Sequence, residues 1–204
     1  MEFLKRLSIL FILLGGFQSL LAQNNITEAF DASYKAENAG DLEKAIQSLL
    51  SVYTVDFYEA NLRLGWLYYQ SGNMGESITK HSKAVELKPY AIEPKLGLAY
   101  PLSAMARWDE IIELYNKILS TDPQNSLTNY RLALIYYNRS QFETADTYIQ
   151  KVVNLYPFDY DSVLLYAWNE FMLKRSREAR VLFQKVLLIR PGDESALRGL
   201  ELLK

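Results

Sequence analysis

Pro89, Pro123, Pro157 and Pro191 stand 34 residues apart, and the chain between them repeats with the same period. Punctuation that regular belongs to stacked units, each of which buries its apolar face on the next. The period also moves the question of function from chemistry to recognition, because architectures of this kind mostly present surfaces.

Aligned on the prolines, other positions fall into columns. Leu64, Leu98, Leu132, Tyr166 and Leu200 form one, and the small residues Gly65, Ala99, Ala133 and Ala167 form the next. Further columns hold Tyr68, Leu102 and Tyr136, then Ser77, Ile111, Ala145 and Ala179, then Ala84, Ile118, Val152 and Val186. Large apolar residues three or four apart mark helix faces. The small residue beside them is expected to admit the backbone of a neighbouring helix. Each unit therefore reads as two helices joined by a short turn, as at Gly40-Asp41 and Gly72-Asn73. Proline closes the second helix because it lacks the N–H and clashes with the preceding turn.

These columns resemble the tetratricopeptide repeat: a large residue, Leu-Gly/Ala and Tyr, then Ala, an aromatic, Ala and Pro. Leu64-Gly65-Trp66-Leu67-Tyr68 matches closely, as does Ala145 through Pro157, and the likeness extends from Tyr58 to Lys204. It implies an all-α fold, a right-handed α-solenoid of stacked helix-turn-helix repeats. The expected units are 58–91, 92–125, 126–159 and 160–193, with a capping helix at 194–204. A degenerate first unit at 23–57 aligns at a spacing of 32 and lacks the closing proline, which predicts a shortened second helix. Three departures stand out. Pro101 falls inside a first helix and is expected to kink it. Glu170 replaces the aromatic of its column. Arg175 and Ser176 occupy a turn usually kept for glycine and an aromatic.

Residues 1–22 stand outside the repeats. Lys5 and Arg6 precede the apolar run Leu7–Leu14, and Gly15-Gly16 break it before Ser19-Leu20-Leu21-Ala22. That order describes a secretory signal peptide with cleavage after Ala22. The alternative is an uncleaved leader that tethers the protein to a membrane, although Leu7–Ala22 is 16 residues, short of the roughly 20 a spanning helix needs. The expected location is periplasmic or secreted, with no stable membrane insertion after cleavage. The absence of cysteine excludes both disulfides and a bacterial lipid anchor.

Little in the chain suggests catalysis. One histidine and no cysteine make a zinc site improbable. His81 shares a column with Tyr115, Ile149 and Phe183 and reads as a packed imidazole. Gly72-Asn73-Met74-Gly75 lacks the Gly-Lys-Ser/Thr ending of a phosphate loop and reads as a helix-to-helix turn. Asp109-Glu110 sits where a second helix begins and favours its dipole. A net charge of −2 gives no basic stripe for nucleic acid. The expectation is a non-enzyme with no cofactor and no metal, whose partner is a protein or peptide.

In the family this chain resembles, first helices line the concave surface. The resemblance turns three columns inward: Trp66, Tyr100, Leu134 and Trp168; Leu62, Leu96, Tyr130 and Leu164; and Tyr69, Ser103, Tyr137 and Phe171. Leu62, Trp66, Tyr69, Tyr100, Tyr130, Leu134, Tyr137, Trp168 and Phe171 are the candidate groove, with Phe30 and Tyr34 extending it. Trp and Tyr suit recognition because they bury large areas and keep a polar handle. The other reading packs these rings between neighbouring first helices. Some relatives clamp a peptide's terminal carboxylate with Lys, Asn and Arg on this face. Here Arg63 and Arg131 have no matching lysines, and Glu59, Glu93 and Asp161 make the rim acidic. The groove is expected to hold a protein segment; the alternative is an envelope glycan or small ligand stacked on the same rings. At the carboxyl end, Asp193 is a candidate N-cap, with Ala196, Leu197 and Leu200 facing the last repeat.

Overall fold

The computed structural model describes residues 24–204, so the leader and its cleavage junction lie outside the described residues. Within them the chain is entirely helical: eleven helices and no strand. The first, α1, covers 24–38, followed by α2 (Leu42–Leu50), α3 (Tyr58–Gln70), α4 (Met74–Leu87) and α5 (Glu93–Ala104). These make one compact unit, and the chain divides after Ala106. The second unit holds α6 (Trp108–Thr121), α7 (Ser126–Asn138), α8 (Phe142–Leu155), α9 (Tyr160–Met172), α10 (Ser176–Ile189) and α11 (Glu194–Leu202).

The repeating columns are the core. Leu64, Ala84 and Gly65 are buried in the first unit, and Leu132, Ala133, Ala145, Val152, Ala167, Ala179 and Val186 in the second. Helix α2 has 9 residues against 14 in α4, α6, α8 and α10, the shortening that the missing proline predicts. Asn73, Asn125, Asp159 and Asp193 each accept a backbone N–H three residues on and start α4, α7, α9 and α11.

Two expectations change. The left-handed turn residue after α9 is Lys174 (φ 62°), one position before Arg175, and it matches Ala106 (φ 54°), Ser140 (φ 58°) and Gly72 (φ 81°). Arg175 is instead the N-cap residue of α10. Helix α5 runs through Pro101, which is buried. In α11 the buried residues are Ala196 and Gly199, while Leu197 is 49% exposed. Residues 196, 199, 200 and 203 share one helical face, and Leu197 lies about 100° from Ala196. Arg180 donates to the Leu203 carbonyl at 2.6 Å and ties down the end of the helix.

A column the sequence reading passed over holds the loops before three first helices. Asn61 Nδ2 donates to the carbonyls of Val55 and Phe57, both at 2.9 Å. Asn129 Nδ2 does the same to Pro123 and Asn125, at 3.1 and 2.9 Å. At the same column Lys95 Nζ donates to the carbonyls of Pro89 and Ala91. All three side chains are buried, and these bonds give their polar ends partners in the loop backbone.

Candidate functional site

In the first unit, Trp66 and Tyr69 are one turn apart on α3, and Tyr100 faces them from α5. Ring centroids lie 5.8 Å apart for Trp66–Tyr69, 5.9 Å for Trp66–Tyr100 and 5.4 Å for Tyr69–Tyr100. Leu62, Trp66, Leu96, Tyr100, Ile92 and Glu93 surround a cavity of 550 Å³. Four of the nine groove candidates, Leu62, Trp66, Tyr69 and Tyr100, therefore meet. The Trp66 indole N–H donates to Glu37 Oε1 at 3.0 Å, which fixes the ring and leaves its face for a ligand. Glu37 also pairs with Arg63, whose guanidinium lies 3.8 Å from the Tyr34 ring centroid. Burial raises the Glu37 pKa, but the bonds from Arg63 and Trp66 outweigh it and hold the carboxyl below its ordinary value. Phe30 packs on Phe57 at 5.8 Å in the core, so it leaves the stripe it was expected to extend.

Beneath this cavity lies His81 of α4, 2% exposed, with no hydrogen-bond partner at either ring nitrogen. A Cβ on Gly65 would stand 2.7 Å from His81 Cδ2, and one on Gly97 2.7 Å from Nδ1. The small column was expected to admit a helix backbone; at Gly65 it admits an imidazole ring. Burial pushes the His81 pKa down to about 4, so the ring is neutral at pH 7.

In the second unit the candidates divide. Trp168 meets Phe183 edge-on at 4.9 Å and Phe171 at 5.6 Å, and its N–H donates to Ser195 Oγ at 2.9 Å. Tyr137 packs edge-on against Phe142 at 5.5 Å, and burial raises its pKa. Trp168, Phe171 and Tyr137 thus lean on the core. Leu134 is exposed. Tyr130 lines a separate cavity of 310 Å³ with Leu127, Val152, Tyr156, Asp159 and Asp161. Burial, then Asp161 and Asp159, raise its pKa.

The Glu170 departure joins that of Arg175. Glu170 is 1% exposed, and Arg175 Nη1 lies 3.0 Å from both Glu170 Oε1 and Asp146 Oδ2. Burial and the neighbouring Asp146 push Glu170 well above the carboxylate range, against the pull of Arg175. Gln150 Nε2 also donates to Asp146 Oδ2, at 2.9 Å. The cluster replaces one aromatic ring with two buried carboxyls held by a partly exposed guanidinium. Among the described residues no group of three metal-ligating side chains occurs, and no helix is long and apolar enough to cross a membrane.

Tetratricopeptide-repeat family models match residues 30–92 and 114–147. Those two stretches carry tetratricopeptide repeats. A tetratricopeptide repeat protein from Parabacteroides merdae is similar over 88% of this chain and 72% of its own, with a TM-score of 0.76 and 19% identity. MamA from Desulfovibrio magneticus RS-1 is similar over 83% of this chain and 97% of its own, with a TM-score of 0.71 and 17% identity. At these identities the likeness is one of fold. The human protein O-mannosyl-transferase TMTC1 is 33% identical over 97 residues, which is 47% of this chain and 11% of that protein. The chain thus spans about a ninth of that relative's length. Repeats of this family generally form scaffolds for protein–protein contact.

Proposed function

We propose that the protein is a secreted or periplasmic scaffold that holds an extended or helical protein segment on the aromatic face of its first helices, without catalysis. The observation that carries this reading is the pair Trp66 and Tyr100, braced by Tyr69, on the wall of an open 550 Å³ cavity. Core packing alone does not require two rings to border open space, whereas recognition of a partner's side chain does. In the second unit Tyr130 and Leu134 contribute the corresponding face, and Tyr137, Trp168 and Phe171 add the half-buried edges that core packing leaves to them. The leader, cleaved after Ala22, delivers the repeats to the envelope, and the units run 23–57, 58–91, 92–125, 126–159 and 160–193 before the cap at 194–204. Affinity capture from an envelope extract should recover a protein that the Trp66→Ala plus Trp168→Ala variant loses. Undiminished capture by that variant removes the aromatic face from the account, and a mature protein still beginning at Met1 removes the leader.

A second reading has its own observation. The Trp66 N–H is taken by Glu37, so the ring offers only its face, which is the chemistry that stacks on the C–H face of a sugar. Calorimetric titration with envelope glycans decides it: no saturable heat ends this reading.

A further inference from the structure

Charge accounting on the first helices specifies the partner. Arg63 is taken by Glu37 and Tyr34, and Arg131 donates to the Tyr115 hydroxyl at 3.1 Å. The basic side chains on this face are thus engaged within the protein. Its carboxylates are not all so engaged. Glu59 pairs with Lys88 at 3.3 Å, but Glu93 and Asp161, which share its column, form no ion pair among the described residues. Both are exposed, and each stands at the lip of an apolar cavity in its own unit. In the first, Glu93 adjoins Leu62, Leu96, Trp66 and Tyr100. In the second, Asp161 and Asp159 adjoin Leu127, Tyr130 and Tyr156. Asp159 spends one oxygen on the Ser162 N–H, at 3.0 Å.

We infer that each cavity is built for a lysine or arginine side chain of a partner protein, the aliphatic stem lying on the apolar wall and the cationic head against Glu93 or Asp161. The chemistry agrees at each end of such a side chain. Its methylenes remove apolar surface from water. Its charge meets a carboxylate beside an aromatic face, where ion pairing and cation–π attraction act together. An acidic segment would meet like charge in both units. This specificity rests on the aromatic-face reading above and adds to it a partner that is basic as well as apolar.

The test uses fluorescein-labelled amphipathic peptides with a fixed leucine spacing and lysine, glutamine or glutamate at every other position, followed by anisotropy with the full mature chain. The lysine peptide should bind tightest and the glutamate peptide weakest, and roughly 0.5 M salt should compress the difference. Glu93→Gln and Asp161→Asn should each weaken the lysine peptide about threefold, the size expected of an exposed charge pair. Glu113→Gln, an exposed position on α6 outside both cavities, should leave it unchanged. Equal binding of lysine and glutamine peptides, or of the lysine peptide by wild type and the two cavity variants, overturns the inference. If that happens while Trp66→Ala still weakens binding, the aromatic face stands and only the cation preference falls. Binding that depends on Glu93 but not on Trp66 has the opposite meaning. No binding by any peptide counts against both.

Discussion

Acidification should loosen the first unit through His81. In the folded chain its imidazole is enclosed between Gly65 and Gly97 with no hydrogen-bond partner, and its pKa is pushed down from 6.5 to about 4 by burial. Unfolded, the ring takes a proton near 6.5. Between these values the unfolded chain binds more protons than the folded one, so stability falls as pH falls. The loss begins below about pH 6.5 and is complete by about pH 4. The shift sets its size at about 3 kcal/mol, since one pKa unit is worth about 1.4 kcal/mol. His81→Phe isolates the effect, because Phe183 fills the same column and lies over Gly199 as His81 lies over Gly97. Urea unfolding followed by tryptophan fluorescence, at intervals from pH 7.5 to 4, gives the stability of both proteins. The gap between them should widen toward acid by about 3 kcal/mol. Parallel curves would refute the argument, because the buried imidazole would then carry no penalty for its proton. Using the difference matters, since Glu170 works in the other direction. Its carboxyl is raised, so the folded chain holds an extra proton above the ordinary carboxylate pKa, and that contribution is lost as pH rises.

Gly97→Ala should destabilise by about 1–3 kcal/mol through overlap with the imidazole, and by much less in a His81→Ala background; additive losses in thermal melts would show that the ring is not the obstacle. Lys174→Gly should stabilise by about 0.5–1 kcal/mol, because a left-handed φ costs glycine nothing, and an unchanged midpoint contradicts it. Arg175→Ala should cost about 1 kcal/mol at pH 8, since solvent screens the half-exposed guanidinium, by leaving the Glu170 and Asp146 carboxyls without their cation. That cost should shrink at pH 5, where a proton on Glu170 replaces the lost cation, and a pH-independent cost in urea titrations would count against it. Asn129→Ala should cost about 1 kcal/mol by removing two side-chain bonds to the loop, with early hydrogen exchange in the loop before α7 as its local signature.

What was legible in the sequence is what every repeat must supply. Leu64, Ala84, Ala133, Val152 and Val186 are buried because each unit makes the same contact with its neighbours, and a shared contact leaves a column. The turn after α9 was misplaced by one residue because Ala106, Ser140 and Lys174 take the left-handed position without being glycine, which removes the usual marker. Leu197 was assigned to the buried face by hydrophobicity, whereas helical phase gives that place to Gly199 beneath Phe183. The Glu170, Arg175 and Asp146 cluster joins α8, α9 and a turn. Its members stand in different columns, so the 34-residue period alone does not bring them together. Asn61, Lys95 and Asn129 do carry a signal, a polar residue repeated at 34 on the buried side of a helix. Of the groove, the convergence of Trp66, Tyr69 and Tyr100 was legible as residue type and column. That Trp168 spends its edge on Phe183 and its N–H on Ser195 was not, because both partners lie beyond its own helix.

The column of His81, Tyr115, Ile149 and Phe183 varies most in shape, and the position sixteen residues on varies with it. His81 faces Gly97, Phe183 faces Gly199, Tyr115 takes a hydrogen bond from Arg131, and Ile149 shares a core cluster with Leu165. A ring demands glycine opposite, a phenol is met by a donor, and an aliphatic side chain by another. Each second helix therefore selects the first helix that follows it. Exchanging two repeats would set His81 against Arg131, or Phe183 against Leu165, and lose the fit even though every consensus position stayed filled. The shared columns are common to every unit, whereas this paired column fits each second helix to one successor.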